Sequence, residues 1–327
     1  MKTTNTLDSL MLLTNEPDEY LYLNIANAIL EYGNDALPLL NKKLNSSTDI
    51  FQKERLKSLI YNVERQDLIS KLNSWSDNRE YDLLEPFFIL SRNRFPEADW
   101  SWFGFQIVMI IEQAEKELNP NLTPLEQVRT LNHIIYEVNK FRGDTMAINN
   151  PDYYYANTLL ETHIGNPLSL GMLYCIVAER LNIPIYGIDL PNHFILAFCK
   201  KTDSLPKLED VMFYINPFNK GVVLTRKDIR NYLAELKVQS ELKYFEPTRN
   251  SNIVKKMLRT VKNVEINMTK LGMRNESCRL NKQIIAALYV DNLQLICNLK
   301  LHFHKSFFIT TFSNRIINSV ERVNNKK

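Results

Sequence analysis

The chain has 327 residues, 45% apolar and 24% charged, the balance of a globular protein long enough to bury a sizeable core. Its formal charge is only +3, but residues 248–327 hold a balance of +11 against −8 for the remainder. There are 8 glycines, no two closer than six positions, which excludes the Gly-rich loops that cradle nucleotide phosphates.

Residues 1–18 lack the basic start, apolar run and small-residue cleavage site of a secretory leader. Through residue 75 the pattern predicts helices. Leu21, Ile25, Ala28 and Ile29 recur at helical spacing, Gly33-Asn34 breaks the run, and residues 36–40 open a second helix behind Asp35. Leu56, Ile60, Val63, Leu68 and Leu72 continue the theme. Paired helices of this kind resemble HEAT-type repeats, here one or two units that brace a neighbouring domain.

Residues 75–140 also read as helical. The longest apolar stretch, 102–111, is half the ~20 residues that a membrane helix needs, so no span is expected. Trp100, Trp102, Phe103 and Phe105 are expected in the core. Thr123-Pro124-Leu125-Glu126 starts the next helix with a cap, a proline at its first position and an early acid, and it turns Leu125, Val128, Leu131 and Ile135 inward.

After Phe141 the pattern changes. Residues 152–157 form a polar-aromatic loop, a helix follows over 168–181, and strand-like runs occupy 185–190, 194–199 and 211–215. A helix followed by short strands defines an α+β domain. Farther on, Val254, Met257, Leu258, Val261, Val264, Met268 and Leu271 make an apolar helical stripe with lysines and arginines opposite. Packing on its own domain is favoured over nucleic-acid or membrane-surface binding for this basic stretch, because no nucleic-acid reading motif accompanies the charge. Beyond Ala287 the chain reads as irregular. His302 and His304 would share a strand face, without an acid or cysteine nearby to complete a metal site. Cys175, Cys199, Cys278 and Cys297 are widely spaced and include no CxxC, which points away from zinc and disulfides and toward a reducing cytoplasm. No metal or cofactor is expected.

Gly165-Asn166-Pro167-Leu168-Ser169-Leu170 is a helix entrance with Asn166 as cap and Pro167 at the first position. A helix start, His193 on a strand and Asn216 at the end of another are the parts of a nucleophile–histidine–amide constellation. These blocks resemble the Sir-B family of bacterial transglutaminase-like proteins. The same holds for Leu131-Asn132, Phe141-Arg142-Gly143-Asp144, Asn157, Ile183-Pro184, Leu190-Pro191-Asn192-His193-Phe194 and the run 216–221.

The resemblance implies a helix-rich α+β protein with a transglutaminase-like (papain-like) core. Three regions follow: a HEAT-like helical front (1–75), the core (76–247) and a basic helical extension (248–327) similar to the start of a tetratricopeptide-type region. It also implies a catalytic cysteine at the helix start, and counting back from Ile183-Pro184 sets Pro167 on that position. The histidine position is His193 and the aspartate position Asn216.

Two readings stay open. In one, the nucleophile is lost and the protein is a non-catalytic binding or scaffold module for a protein or peptide, with Tyr153, Tyr154, Asn157 and Asn166 as binding residues. In the other, Ser169 or Cys175 attacks, His193 is general base and acid, and Asn216 orients the imidazole of a hydrolase or acyl-transfer enzyme.

Overall fold

The computed structural model describes residues 4–78, 82–95 and 98–270. The irregular ending, the His302/His304 pair, Cys278 and Cys297 lie outside them.

Helices α1 (Thr4–Leu12), α2 (Glu19–Leu30), α3 (Leu37–Ser46) and α4 (Ile50–Asn78) share a core that includes Met11, Tyr22, Ile29, Leu40, Leu56 and Val63. Asp18 caps α2 by accepting the N–H of Leu21. The inward stripe of α2 is turned by about one residue from the expected one. Tyr22, Ala26 and Ile29 are buried, whereas Leu21 is 49% exposed. Tyr22 takes the inward place because its ring lies 3.7 Å from the Arg55 guanidinium, itself held by the Glu16 carbonyl and the Glu19 carboxylate.

In α6 (Trp100–Glu117), which follows α5 (Leu84–Arg94), the inward stripe is Phe103, Ile107, Ile110 and Ala114. Phe105 lies about 200° around the helix from Phe103 and is exposed. Trp100 is edge-on to Phe88 yet remains partly exposed, so the aromatic run is divided between core and surface. Helix α7 (Pro124–Asn132) starts with the expected Thr123–Glu126 capping box and ends in a single π turn, His133–Val138. Val128, Leu131 and Ile135 are buried, but Leu125, in the first turn, is exposed.

The α+β core begins with β1 (Arg142–Gly143). The expected loop at 152–157 winds into a 3₁₀ turn, Pro151–Tyr154, before α8 (Ala156–Thr162). Strand β2 (Ile164–Gly165) pairs in parallel with β1 and leads into α9 (Pro167–Arg180). Strands β3 (Ile185–Leu190), β4 (His193–Cys199), β5 (Val211–Asn216) and β6 (Val222–Leu224) form an antiparallel sheet in that order. Helix α10 (Arg226–Glu235) and the longer α11 (Asn250–Lys270) complete the described chain.

Strand side chains alternate between faces, and here the alternation sorts the sheet into two layers. Phe194 faces α9, where its ring fills the space that a side chain at Gly171 would require. Ile188, Leu190, Ile195 and Ala197 point the other way and cluster with Ile229 and Leu233 of α10. From Pro167 to Ala178 every residue of α9 is buried, which makes it the central helix of the domain.

The apolar stripe of α11 is covered by its own domain: Ile253, Val254, Met257 and Val261 are all buried. Lys256 on this helix bonds both the Asp189 carboxylate and the Leu190 carbonyl, so part of the C-terminal positive charge docks on the acidic body. Among the described residues no helix is long and apolar enough to cross a membrane.

Candidate functional site

The entrance to α9 is a closed hydrogen-bonded unit. Asn166 Oδ1 accepts the N–H groups of Leu168 (2.9 Å) and Ser169 (3.0 Å), while Ser169 Oγ accepts the N–H of Asn166 at 3.1 Å. This is a reciprocal capping box, with Pro167 at a position where its missing N–H costs nothing. Asn166 Nδ2 also donates to the Tyr153 carbonyl at 3.1 Å, and both Asn166 and Ser169 are fully buried. The Asn166→Ala variant is therefore expected to lose about 2 kcal/mol in urea denaturation, since a cap and a buried hydrogen bond disappear together. A loss below ~0.5 kcal/mol would contradict this account.

Tyr153 is half-buried. Tyr154 is buried and donates its hydroxyl to the Ile148 carbonyl at 3.0 Å. Asn157 is half-buried, and its Oδ1 is enclosed without a hydrogen-bond partner among the described residues. Cys175 lies two turns into α9 and is 4% exposed. Burial, with Glu179 nearby, pushes its thiol well above the ordinary range, and burial pushes Cys199 up to about 12. Neither thiol is in the ionised, exposed state that nucleophilic reactivity requires. Iodoacetamide at pH 8 is expected to leave both unmodified in the native protein and to alkylate them in urea, as read by peptide mass mapping; native labelling of Cys175 would refute this.

His193 pairs with Leu190 across the β3–β4 turn and shares the sheet face of Ile195, the face that α10 covers. Its ring lies 5.8 Å from Tyr232 of α10 and meets Phe218 edge-on at 6.4 Å. No hydrogen bond reaches the imidazole from the described residues. Burial, reinforced by the Lys256 charge, pushes His193 down to about 4. The ring is therefore neutral at ordinary pH.

Asn216 follows the Leu196–Ile215 pair by one residue, which sets it opposite Ile195 and on the face of His193. Its Oδ1 accepts the N–H groups of Phe218 (3.1 Å) and Asn219 (3.3 Å), so it shapes the turn after β5. The fold thus brings His193 and Asn216 to one side of the sheet. Ser169 and Cys175 belong to α9 on the other side, and neither side chain bonds to His193 among the described residues.

Asn132, Tyr136 and Tyr174 tie the helices to the turn after β5. Asn132 Nδ2 donates to the Gly221 carbonyl at 3.0 Å, and its Oδ1 accepts the Tyr174 hydroxyl at 3.0 Å. Tyr136 donates to the Pro217 carbonyl at 2.8 Å. Burial raises both phenols far out of the physiological range, which keeps them neutral donors. Their types and spacing resemble ordinary helix positions; the visible signals were Leu131-Asn132 and the 216–221 run. No group of three or more metal-ligating side chains occurs among the described residues.

A buried helix packed on an antiparallel sheet, entered through Gly-Asn-Pro and followed by a His-Phe strand, defines a class. Residues 104–259 match the transglutaminase-like superfamily, and this part of the chain is a transglutaminase-like domain. Within that class the chain is similar to SirB1 and UPF0162 proteins. It is 24% identical to Protein SirB1 of Salmonella typhimurium over 174 residues, 52% of this chain and 62% of SirB1. A UPF0162 protein of Xylella fastidiosa is 26% identical over 155 residues, 47% of this chain and 52% of that protein. F-box only protein 21 of Mus musculus is 29% identical over 181 residues, 53% of this chain and 27% of that protein. The chain therefore spans between 27% and 62% of the length of these curated relatives. No solved structure matches it.

Proposed function

We propose that this transglutaminase-like protein is a non-catalytic binding or scaffold module that engages a protein or peptide, in the cytoplasm. The observation that carries the reading is the separation of the parts of the constellation. His193 shares a sheet face with α10, whereas Ser169 and Cys175 sit on α9, against the opposite face. Three further features support it. Proline occupies the helix-start position at 167, the Ser169 hydroxyl is engaged in a capping box, and the Cys175 thiol is buried and protonated. The presence of a matching segment within 27% of F-box only protein 21 fits a domain used as a portable module. In this organisation the helical front (1–75) braces the core (76–247), and α11, the described part of the 248–327 extension, packs on that core.

Activity-based labelling tests the proposal. Fluorophosphonate and vinyl-sulfone probes are expected to give no time-dependent modification of Ser169 or Cys175 in the native protein. Modification that grows with time and is lost in His193→Gln would overturn the proposal and establish the acyl-transfer alternative.

A further inference from the structure

A cavity of about 820 Å³ opens at the end of the sheet opposite the β3–β4 turn, where β3 begins and β4 ends. That volume is in the range of small-ligand sites. Its lining is mixed. Glu179, half-buried on the last turn of α9, lies beside the buried Cys175. Leu83, Ile183 and Pro184 supply apolar wall, and the exposed Lys201, Asp203 and Arg249 add charged groups to the same lining.

Glu179 has an unusual electrostatic setting. The guanidinium of Arg180, the residue next to it, is engaged by Asp82 at 3.0 Å. Glu179 itself makes no ion pair among the described residues, and the polar group that favours its charge, besides Arg180, is the backbone N–H of Leu83. Burial, with the like charge of Asp82 close by, pushes this carboxyl up to about 7. A partly buried acid without a partner cation is stabilised by any ammonium delivered into the cavity. Lys201 and Arg249, which line the same cavity, supply the complementary charge for a carboxylate.

We propose that this cavity binds a short peptide with free termini, its ammonium on Glu179 and its carboxylate on Lys201 and Arg249. The site is separate from the His193 face, and the proposal does not depend on whether that face is catalytic.

A panel of Ala-X-Ala tripeptides with free termini, screened against the full chain by saturation-transfer NMR, tests this. The best binder is then titrated by calorimetry beside its N-acetyl and C-amide forms. Each blocking group is expected to weaken binding about tenfold or more. Glu179→Gln is expected to abolish the penalty for N-acetylation, and the Lys201→Gln/Arg249→Gln pair the penalty for amidation. Should Glu179→Gln fail to fold, the comparison of blocked and free peptides on the native protein still decides. Failure of every panel member to bind at about 10 mM, or equal affinity of blocked and free forms, overturns the proposal.

Discussion

Replacing Gly221 with alanine is expected to destabilise the protein by about 4 kcal/mol, against about 1 kcal/mol for the same change at Gly33. Both glycines have left-handed backbones, φ +70° at Gly221 and φ +54° at Gly33, so the intrinsic cost of adding a Cβ is shared. Their surroundings differ. Nothing lies within 4 Å of a Cβ built at Gly33, whereas at Gly221 it would land on the Asn132 amide. That amide holds the Gly221 carbonyl and the Tyr174 hydroxyl, so its displacement breaks two hydrogen bonds as well as overpacking the site. Urea denaturation of the two variants measures the contrast. In an Asn132→Gly background the penalty at Gly221 should fall toward that at Gly33, because the colliding group is gone. Equal costs at the two glycines in the native background would mean that the Asn132 clamp contributes nothing.

The parts of the fold that were legible in the sequence are those set by local chemistry. Thr123-Pro124-Leu125-Glu126 and Asn166-Pro167-Leu168-Ser169 carry their caps in adjacent residues, and both start helices as their spacing predicts. Exposure along the front helices was less legible. Tyr22 gains its inward place from Arg55 on α4, and nothing in the α2 sequence announces that contact.

The face chosen by His193 was not legible at all. The run His193-Phe194-Ile195-Leu196-Ala197-Phe198-Cys199 is apolar on both sides of the strand, so period-two alternation cannot say which side chains meet α9. Register decides it. Asn192, in the left-handed region at φ +55°, closes the turn that pairs Leu190 with His193. Moving that pairing by one residue would send His193 to the α9 face. The matching histidine and amide blocks therefore identified the superfamily while leaving the geometry of the constellation undetermined. The clamp around Asn132 escaped a residue-type reading for a similar reason: its partners lie 42 and 89 positions away.

Stability is expected to fall by up to about 3 kcal/mol through His193 alone as the pH drops from 7 to 4. In the folded protein burial and Lys256 push this imidazole down to about 4 from its ordinary 6.5. Between those values the unfolded chain takes up a proton that the folded chain refuses, so folding loses ground with each step toward acid. Glu179 acts in the opposite direction. Its carboxyl, pushed up to about 7 from 4.5, stays protonated in the folded state where the unfolded chain has ionised, so its contribution is present below 4.5 and lost as the pH rises to 7. The two effects overlap, and the wild-type profile alone hides both. Chemical denaturation of the wild type and of His193→Gln at half-unit intervals separates them. The difference between the curves should be constant above pH 7, shrink between 6.5 and 4, and level off below. Glu179→Gln should steepen the acid loss over the same interval. Parallel wild-type and His193→Gln curves would show that the imidazole charges as freely as in the unfolded chain. A solvent-accessible, protonatable His193 would then be available for acid–base chemistry, and the case for a non-catalytic module would lose one of its physical supports.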